Sequence, residues 1–226
     1  MLKTENFGYS FMDGDGERVI FENVNITFRQ GMFYSILGDS GCGKTTFLSA
    51  VGGLDGQYKG RILYQDRDIR DIGLNSYRKK CVSFVFQSYN LIPYLNAVDN
   101  IIVALSVSGE KTADRKQIGQ MLQMLGIDRS KASRRISTLS GGEQQRVAVA
   151  RAVIVDNPIL LADEPTGNLN SENAQIIIDA FAKLAHEHNK CIIMVTHNVK
   201  LAMQSDCILQ INPQKKDFEV LEYEEP

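Results

Sequence analysis

The chain has 226 residues, of which 43% are hydrophobic, so it is long enough to bury a substantial core. Its formal net charge is -2, so the chain lacks the excess of lysine and arginine that binds a nucleic-acid backbone. This argues against a nucleic-acid partner. The 4 cysteines form no C-x-x-C pair, and no stretch approaches the roughly 18 apolar residues of a membrane span. We therefore expect a soluble chain that is not secreted and keeps its thiols reduced.

The first 28 residues alternate loosely between apolar and polar side chains, a pattern typical of strands. Strands are predicted at residues 19–21 and 24–28, with a polar turn at residues 13–16. Together they predict an N-terminal antiparallel β layer. Tyr9 and Phe11 lie in this region, and each could stack on an adenine ring or belong to the core.

A glycine-rich loop follows, between a buried strand predicted at residues 33–37 and a helix predicted at residues 45–51. The loop fits the pattern G-x-x-x-x-G-K-[ST], whose backbone N–H groups cradle phosphates. The residues predicted to bind nucleotide here are Gly38, Asp39, Ser40, Gly41, Cys42, Gly43, Lys44, Thr45 and Thr46. Lys44 would reach the β- and γ-phosphates, and the Thr45 hydroxyl would ligate Mg²⁺. A glycine-rich turn that matches by chance is the alternative, which the flanking strand and helix disfavour.

Buried strands and amphipathic helices alternate along the rest of the chain. Strands are predicted at residues 60–64, 82–86, 158–162 and 191–195, and helices at residues 99–107, 116–125 and 174–187. This alternation predicts an α/β fold with a mainly parallel sheet. The helical character after residue 88 predicts an inserted helical subdomain at about residues 88–155, within a single domain whose core comprises about residues 1–87 and 156–226.

Polar residues follow three of these buried strands, at the sheet edge where α/β proteins bind their ligands. Asp163 would hold Mg²⁺, and Glu164 would polarise an attacking water as general base. Gln87 could contact the Mg²⁺ or the water, and His197 could hydrogen-bond the γ-phosphate, although each alone is more often a turn residue. An acidic turn closed by Pro165 is the alternative for the carboxylates, and the nearby phosphate loop makes it less favoured.

The segment from Leu139 to Arg146 begins another helix. Ser140 and Glu143 have the spacing of a capping box, and Gly141 and Gly142 allow a close backbone approach to an anion. The segment therefore predicts a second phosphate contact without indicating whose phosphate it binds. A capped helix that binds no ligand is the alternative.

Taken in order, these motifs resemble those of the ATP-binding subunits of ABC transporters, over nearly the whole chain. The resemblance rests on residues 38–45, Gln87, residues 139–144, residues 159–164 and His197, and the string L-S-G-G-E-Q is highly specific. It implies a P-loop NTPase core and an ATPase that binds ATP and Mg²⁺.

The resemblance also assigns roles to single residues. Glu164 matches the family's catalytic base, Asp163 its Mg²⁺ residue, Gln87 its lid glutamine, which also serves the metal, and His197 its switch histidine. Phe11 matches the adenine-stacking aromatic better than Tyr9 does. Asn170 stands where the family usually has Asp, which puts the coupling between two ATP sites in doubt.

The family's assembly is implied as well. Two chains would face each other head to tail, and ATP would lie between one chain's phosphate loop and the other chain's Ser140, Gly141, Gly142 and Gln144. A homodimer is expected, with a heterodimer as the alternative. An integral membrane permease would contact residues 91–94, which places the chain in the cytoplasm at the inner face of the membrane.

Residues 86–93 and 163–169 look most like the macrolide-exporter and lipoprotein-releasing branch, which includes cell-division and bacitracin-resistance subunits. We expect ATP hydrolysis that energises a membrane-embedded transporter or a force-transmitting complex. One alternative is a nucleotide-dependent partner of a membrane cell-wall or cell-division regulator without transport. A soluble ABC ATPase is less favoured.

Overall fold

The computed structural model describes residues 1–14, 16–109 and 114–221, so Asp15 of the predicted turn lies outside the described residues. The strands are β1 (Leu2–Asp13), β2 (Gly16–Val24), β3 (Thr27–Phe28), β4 (Phe33–Leu37), β5 (Lys59–Tyr64), β6 (Arg67–Asp68), β7 (Val82–Val85), β8 (Ile159–Asp163), β9 (Cys191–Thr196), β10 (Cys207–Asn212) and β11 (Asp217–Leu221). The helices are α1 (Lys44–Val51), α2 (Ile69–Ile72), α3 (Leu74–Cys81), α4 (Ala97–Ser108), α5 (Arg115–Met124), α6 (Arg129–Ala132), α7 (Gly141–Ile154), α8 (Ser171–His186) and α9 (Val199–Ala202).

The central sheet has six strands in the order β11-β10-β4-β9-β8-β7. Every pair from β10 to β7 is parallel, and β11 pairs antiparallel with β10 at the edge. Strands β4 and β9 are buried on both faces, as expected where helices cover a parallel sheet. The predicted α/β fold with a mainly parallel sheet is confirmed.

The order of the central strands places the functional segments side by side. Leu37 of β4 pairs with Thr196 of β9, and Asp163 of β8 pairs with Val195 of β9. The three strands therefore end at the same level of the sheet. The phosphate loop, Glu164 and His197 follow these ends directly, which brings them to one edge.

The second sheet is antiparallel and has the order β2-β1-β5-β6, with β3 also paired to β1. This confirms the N-terminal β layer. The continuous strand predicted at residues 24–28 is wrong, because β2 ends at Val24. Asn23 adopts a φ of 62°, and the Asn25 side chain donates to the Asn23 carbonyl, so the chain turns there instead of continuing the ladder.

Two large apolar clusters cover the faces of the central sheet. One lies under the antiparallel sheet and α1 and includes Phe7, Phe21 and Phe47. The other joins the opposite face to α4, α5, α7 and α8, through residues such as Ile101 and Ile177. Because this cluster is continuous from sheet to helices, a subdomain boundary at residues 88 and 155 stays a prediction.

Strands β10 and β11 and the short helices α2, α3, α6 and α9 are not predicted from the sequence. Within the described ranges, the helices lack the combination of length and apolar character that a bilayer-spanning segment needs. Cys42, Cys81, Cys191 and Cys207 are free thiols, and Cys191 is buried.

Candidate active site

The phosphate loop joins the carboxyl end of β4 to the start of α1. Gly43 has a φ of 105°, and a Cβ there would lie 2.4 Å from the Ile20 Cγ2 atom, so only glycine fits. The N-cap position of α1 is this glycine, which provides no side-chain cap. The first amides of the helix are therefore left for an anion.

Lys44 points from the first turn of α1 back over the loop. Its Nζ atom donates hydrogen bonds to the carbonyl oxygens of Gly38, at 2.7 Å, and Asp39, at 2.9 Å. The residue is only 8% exposed. The loop carbonyls thus fix the ammonium group beside the first turn of α1.

Thr45 and Asp163 form a pair of oxygen groups beside the loop. The Thr45 hydroxyl donates to Asp163 Oδ1 at 3.2 Å. Burial raises the pKa of the Asp163 carboxyl, and the neighbouring Glu164 charge raises it further, whereas the Thr45 hydrogen bond lowers it. A hydroxyl and a carboxylate are ligands that Mg²⁺ prefers.

Glu164 lies between two basic groups. Its Oε1 atom is 3.9 Å from Lys44 Nζ, and its Oε2 atom is 3.0 Å from His197 Nδ1. The imidazole is not aligned to donate, so within the described chain the buried Oε2 atom accepts no hydrogen bond. Glu164 also has a φ of 46°, held by a backbone hydrogen bond to the Val195 carbonyl. This unpaired oxygen and the left-handed backbone are features that concentrate at reactive sites.

These groups line one cavity of about 640 Å³. Its lining residues are Phe11, Arg18, Ile20, Ser40, Gly41, Gly43, Lys44, Thr45, Thr46, Gln87, Asp163, Glu164 and His197. Of the two aromatic candidates, Phe11 lines the cavity, whereas the Tyr9 hydroxyl donates to Asp55 outside it. Gly38, Asp39 and Cys42 belong to the loop but do not line the cavity.

The Ser140–Gln144 segment lies elsewhere, at the start of α7, and none of its residues lines this cavity. Ser140 and Glu143 form a complete capping box, as predicted. The Gln144 amide donates to the Leu139 carbonyl. The hydrogen bonds of Lys131 and of the Ser140 backbone lower the pKa of Glu143 to about 2.

Three residues near the site were not identified from the sequence. Arg18 and Ile20 reach the cavity from β2, and because Ile20 lies in a bulge, the alternation along that strand gave no signal for them. Arg151 on α7 donates to the carbonyls of Tyr89 and Asn90, two and three residues after Gln87. Burial lowers the pKa of its guanidinium, which stays fully charged at neutral pH.

The geometry agrees with similarity to known proteins. The profile of the family described as ABC transporter matches residues 21–167. The chain belongs to the ABC transporter family. Relatives include YclH of Bacillus subtilis, an ABC transporter ATP-binding protein that is 42% identical over 94% of this chain and 93% of its own length. The lipoprotein-releasing system ATP-binding protein LolD of Aquifex aeolicus is 38% identical over 87% of this chain and 88% of its own.

Among solved structures, the dimeric structure of MJ0796 of Methanocaldococcus jannaschii, a bacterial ABC transporter cassette, has a TM-score of 0.87. The two chains are 32% identical, and the match covers 97% of each. The predicted family, branch and function as an ATP-hydrolysing ABC transporter subunit are confirmed. The roles of individual residues stay predictions.

Proposed function

We propose that this ATPase energises a membrane-embedded transporter or force-transmitting complex, with Glu164 as its general base. The observation that carries the proposal is the Glu164 carboxylate, which lies between Lys44 and His197 in the cavity of the phosphate loop. Its unpaired Oε2 atom can take a proton from a water that attacks the γ-phosphate of ATP. His197 can then hydrogen-bond the γ-phosphate from the same side.

The remaining groups of the cavity would position the nucleotide. The loop amides and Lys44 would hold the phosphates, and Phe11 would stack on the adenine at the other end. Mg²⁺ would be held by Thr45, Asp163 and Gln87, whose oxygen atoms suit this ion. When bound, the metal would neutralise charge on the phosphate oxygens.

A second copy of the chain would complete the site. Ser140 and Gly141 are exposed and lie outside the cavity, so they are accessible to a nucleotide bound by another chain. Gly142 and Gln144 belong to the same segment. The dimeric structure of the relative MJ0796 supports this assembly. We favour a homodimer over a heterodimer because the motifs for both halves of a site lie on this one chain.

A permease would dock in a groove of about 480 Å³ between α3, β7, α4 and α7. Ile92, from the segment predicted to touch the permease, lines this groove. Val103 and Val107 on α4 expose apolar surface there, and Val107 is 69% exposed. Docking would place the chain at the cytoplasmic face of the membrane.

Val107→Asp tests the docking groove, because a charge on its apolar wall opposes burial against a partner. We expect the variant to lose most of its sedimentation with membranes while it binds ATP like the wild type. Met203→Asp is the control, since Met203 exposes apolar surface outside the groove. Equal membrane fractions for both variants would argue against this docking site.

Glu164→Gln tests the general base. The amide keeps the shape of the side chain but cannot accept a proton, so we expect ATP binding to persist while hydrolysis falls about a hundredfold or more. Turnover and equilibrium binding of ATP would be measured on the purified protein. Glu187→Gln, at an exposed glutamate after α8, should leave both unchanged. Turnover that survives in the Glu164 variant would refute the assignment.

A further inference from the structure

One wall of the nucleotide cavity carries a basic residue that the proposed function does not use. Phe11 and Arg18 are directly opposite each other in the antiparallel register of β1 and β2, so their side chains project from the same face of this hairpin. The Arg18 Cζ atom lies 5.9 Å from the centroid of the Phe11 ring, within the range of a cation–π contact. Both side chains line the cavity.

The position of Ile20 shows which end of the cavity Arg18 occupies. Ile20 lies in a bulge of β2, since Tyr9 pairs with Phe21 and Ser10 with Val19, and both Ile20 and Arg18 line the cavity. Ile20 lies against Gly43 of the phosphate loop. Arg18 is therefore farther from the loop, at the Phe11 end, whereas Lys44 serves the phosphate end.

Arg18 is weakly held in this position. Its Nη1 atom is 3.8 Å from Asp13 Oδ2, and both side chains are exposed. Ion pairs between exposed side chains contribute little free energy. The guanidinium can therefore move without a large penalty.

We propose that Arg18 binds nucleotide by stacking its guanidinium on the face of the adenine opposite Phe11. The proposal rests on the proposed function, which places the adenine on Phe11. A base between two flat groups needs about 3.5 Å on each side, so the present separation of 5.9 Å has to open by about 1 Å. A planar guanidinium stacks well on aromatic faces, which an ammonium group cannot do in the same way.

The experiment compares ligands with and without a base. ATP, ADP and inorganic tripolyphosphate are titrated into the purified wild type and into Arg18→Ala, Arg18→Lys and Met12→Ala. We expect Arg18→Ala to weaken ATP and ADP binding about fivefold to tenfold and to leave tripolyphosphate binding unchanged. Arg18→Lys keeps the charge but not the plane, so it should recover only part of the loss.

Met12→Ala is the matched control. Met12 follows Phe11 on β1, pairs with Glu17 and points to the opposite face, and it does not line the cavity. We expect this variant to bind all three ligands like the wild type.

Other outcomes would overturn the proposal. An equal loss of ATP and tripolyphosphate binding in Arg18→Ala would assign Arg18 to the phosphates. Unchanged binding in that variant, or full recovery in Arg18→Lys, would exclude the stack. A wild type that binds no ATP would instead refute the proposed function, so the two failures are distinguishable.

Discussion

The phosphate loop and the Leu139–Gln144 segment are both glycine-containing turns that start a helix, yet the two helix ends are built differently. At α1 the N-cap is Gly43, which offers no side chain to the first amides. At α7 the Ser140 side chain and the Glu143 carboxylate already occupy two backbone donors. The first helix end is thus open to an anion, and the second is partly satisfied by its own residues.

The two turns also differ in the side chains that surround them. The phosphate loop lies with Lys44, Asp163, Glu164 and His197 around one cavity, so its reacting groups belong to the same chain. None of these groups lies beside the α7 turn. Two helix ends of similar sequence thus differ: one has the reacting groups of its own chain around it, and the other is proposed to contact a nucleotide bound by another chain.

Mixing two inactive variants tests most directly whether the two turns act on one nucleotide across a dimer. Lys44→Ala removes the phosphate cation, and Ser140→Asp keeps the cap of α7 but places a negative charge against a partner's phosphate. We expect each homodimer to lose ATPase activity about a hundredfold or more. In an equal mixture, half of the dimers are mixed and each of these holds one intact site of two, so roughly a quarter of the wild-type activity should return.

The ATPase rate of the mixture is compared with the rates of the separate variants at equal total protein. The control is a mixture of two separate preparations of Lys44→Ala, in which no dimer has an intact site. If the Lys44→Ala and Ser140→Asp mixture stays inactive, the two turns do not act on one nucleotide across a dimer.

The parts of the site that the sequence predicted are those encoded locally. The phosphate loop, Asp163 and Glu164 each occupy one short segment at a strand end, so their positions followed from the motif and the strand. Gln87 and His197 could be placed because parallel strands end at one edge of a sheet. The proposed role of Ser140 in another chain's site came only from the resemblance, since local spacing carries no information about a partner.

The residues that escaped prediction depend on long-range register. Arg18 reaches the cavity because β2 lies over the phosphate loop, and the residue that opposes it on β1 is fixed only by the pairing of the two strands. Register cannot be read from the alternation of a single strand. Arg151 likewise acts on carbonyl groups of Tyr89 and Asn90, 62 and 61 residues away along the chain. No sequence pattern shows which backbone carbonyls a distant arginine will contact.

Asn170→Asp should have a smaller effect, because Asn170 lies in neither turn. The Asn170 side chain accepts a hydrogen bond from the Asn173 amide and caps α8. The Asn173 side chain in turn accepts one from Arg146 and lies beside Gly142. Aspartate caps as well as asparagine but adds a charge here, so we expect a change of about twofold to fivefold in ATPase rate or cooperativity, with little change in stability.

ATPase rate against ATP concentration, measured on the purified complex, gives both the rate and the Hill coefficient. Asn168→Asp makes the same charge change at an exposed neighbour and serves as the control. Kinetics identical to the wild type in Asn170→Asp, or an equal change in both variants, would rule out a specific role for Asn170 in coupling.

Glu143→Gln should have the smallest effect and separates stability from binding at the α7 turn. Glutamine can keep the hydrogen bond to the Ser140 amide, but it loses the ion pair with Lys131 and the favourable charge at the helix N-terminus. We expect the free energy of unfolding to fall by about 1 kcal/mol at pH 7, measured by urea denaturation, with Glu187→Gln as control. Affinity for ATP in the chain's own phosphate loop should not change.

The pH dependence of that difference identifies its cause. Folding lowers the pKa of Glu143 from its ordinary value of 4.5 to about 2, so the folded chain binds fewer protons than the unfolded chain between these values. The stabilisation is therefore fully present above about pH 4.5 and is lost as the pH falls towards 2. The wild type and Glu143→Gln should converge in stability over this range. A difference that stays constant down to pH 3 would mean that packing, and not the carboxylate charge, makes the α7 turn differ from the uncapped turn at α1.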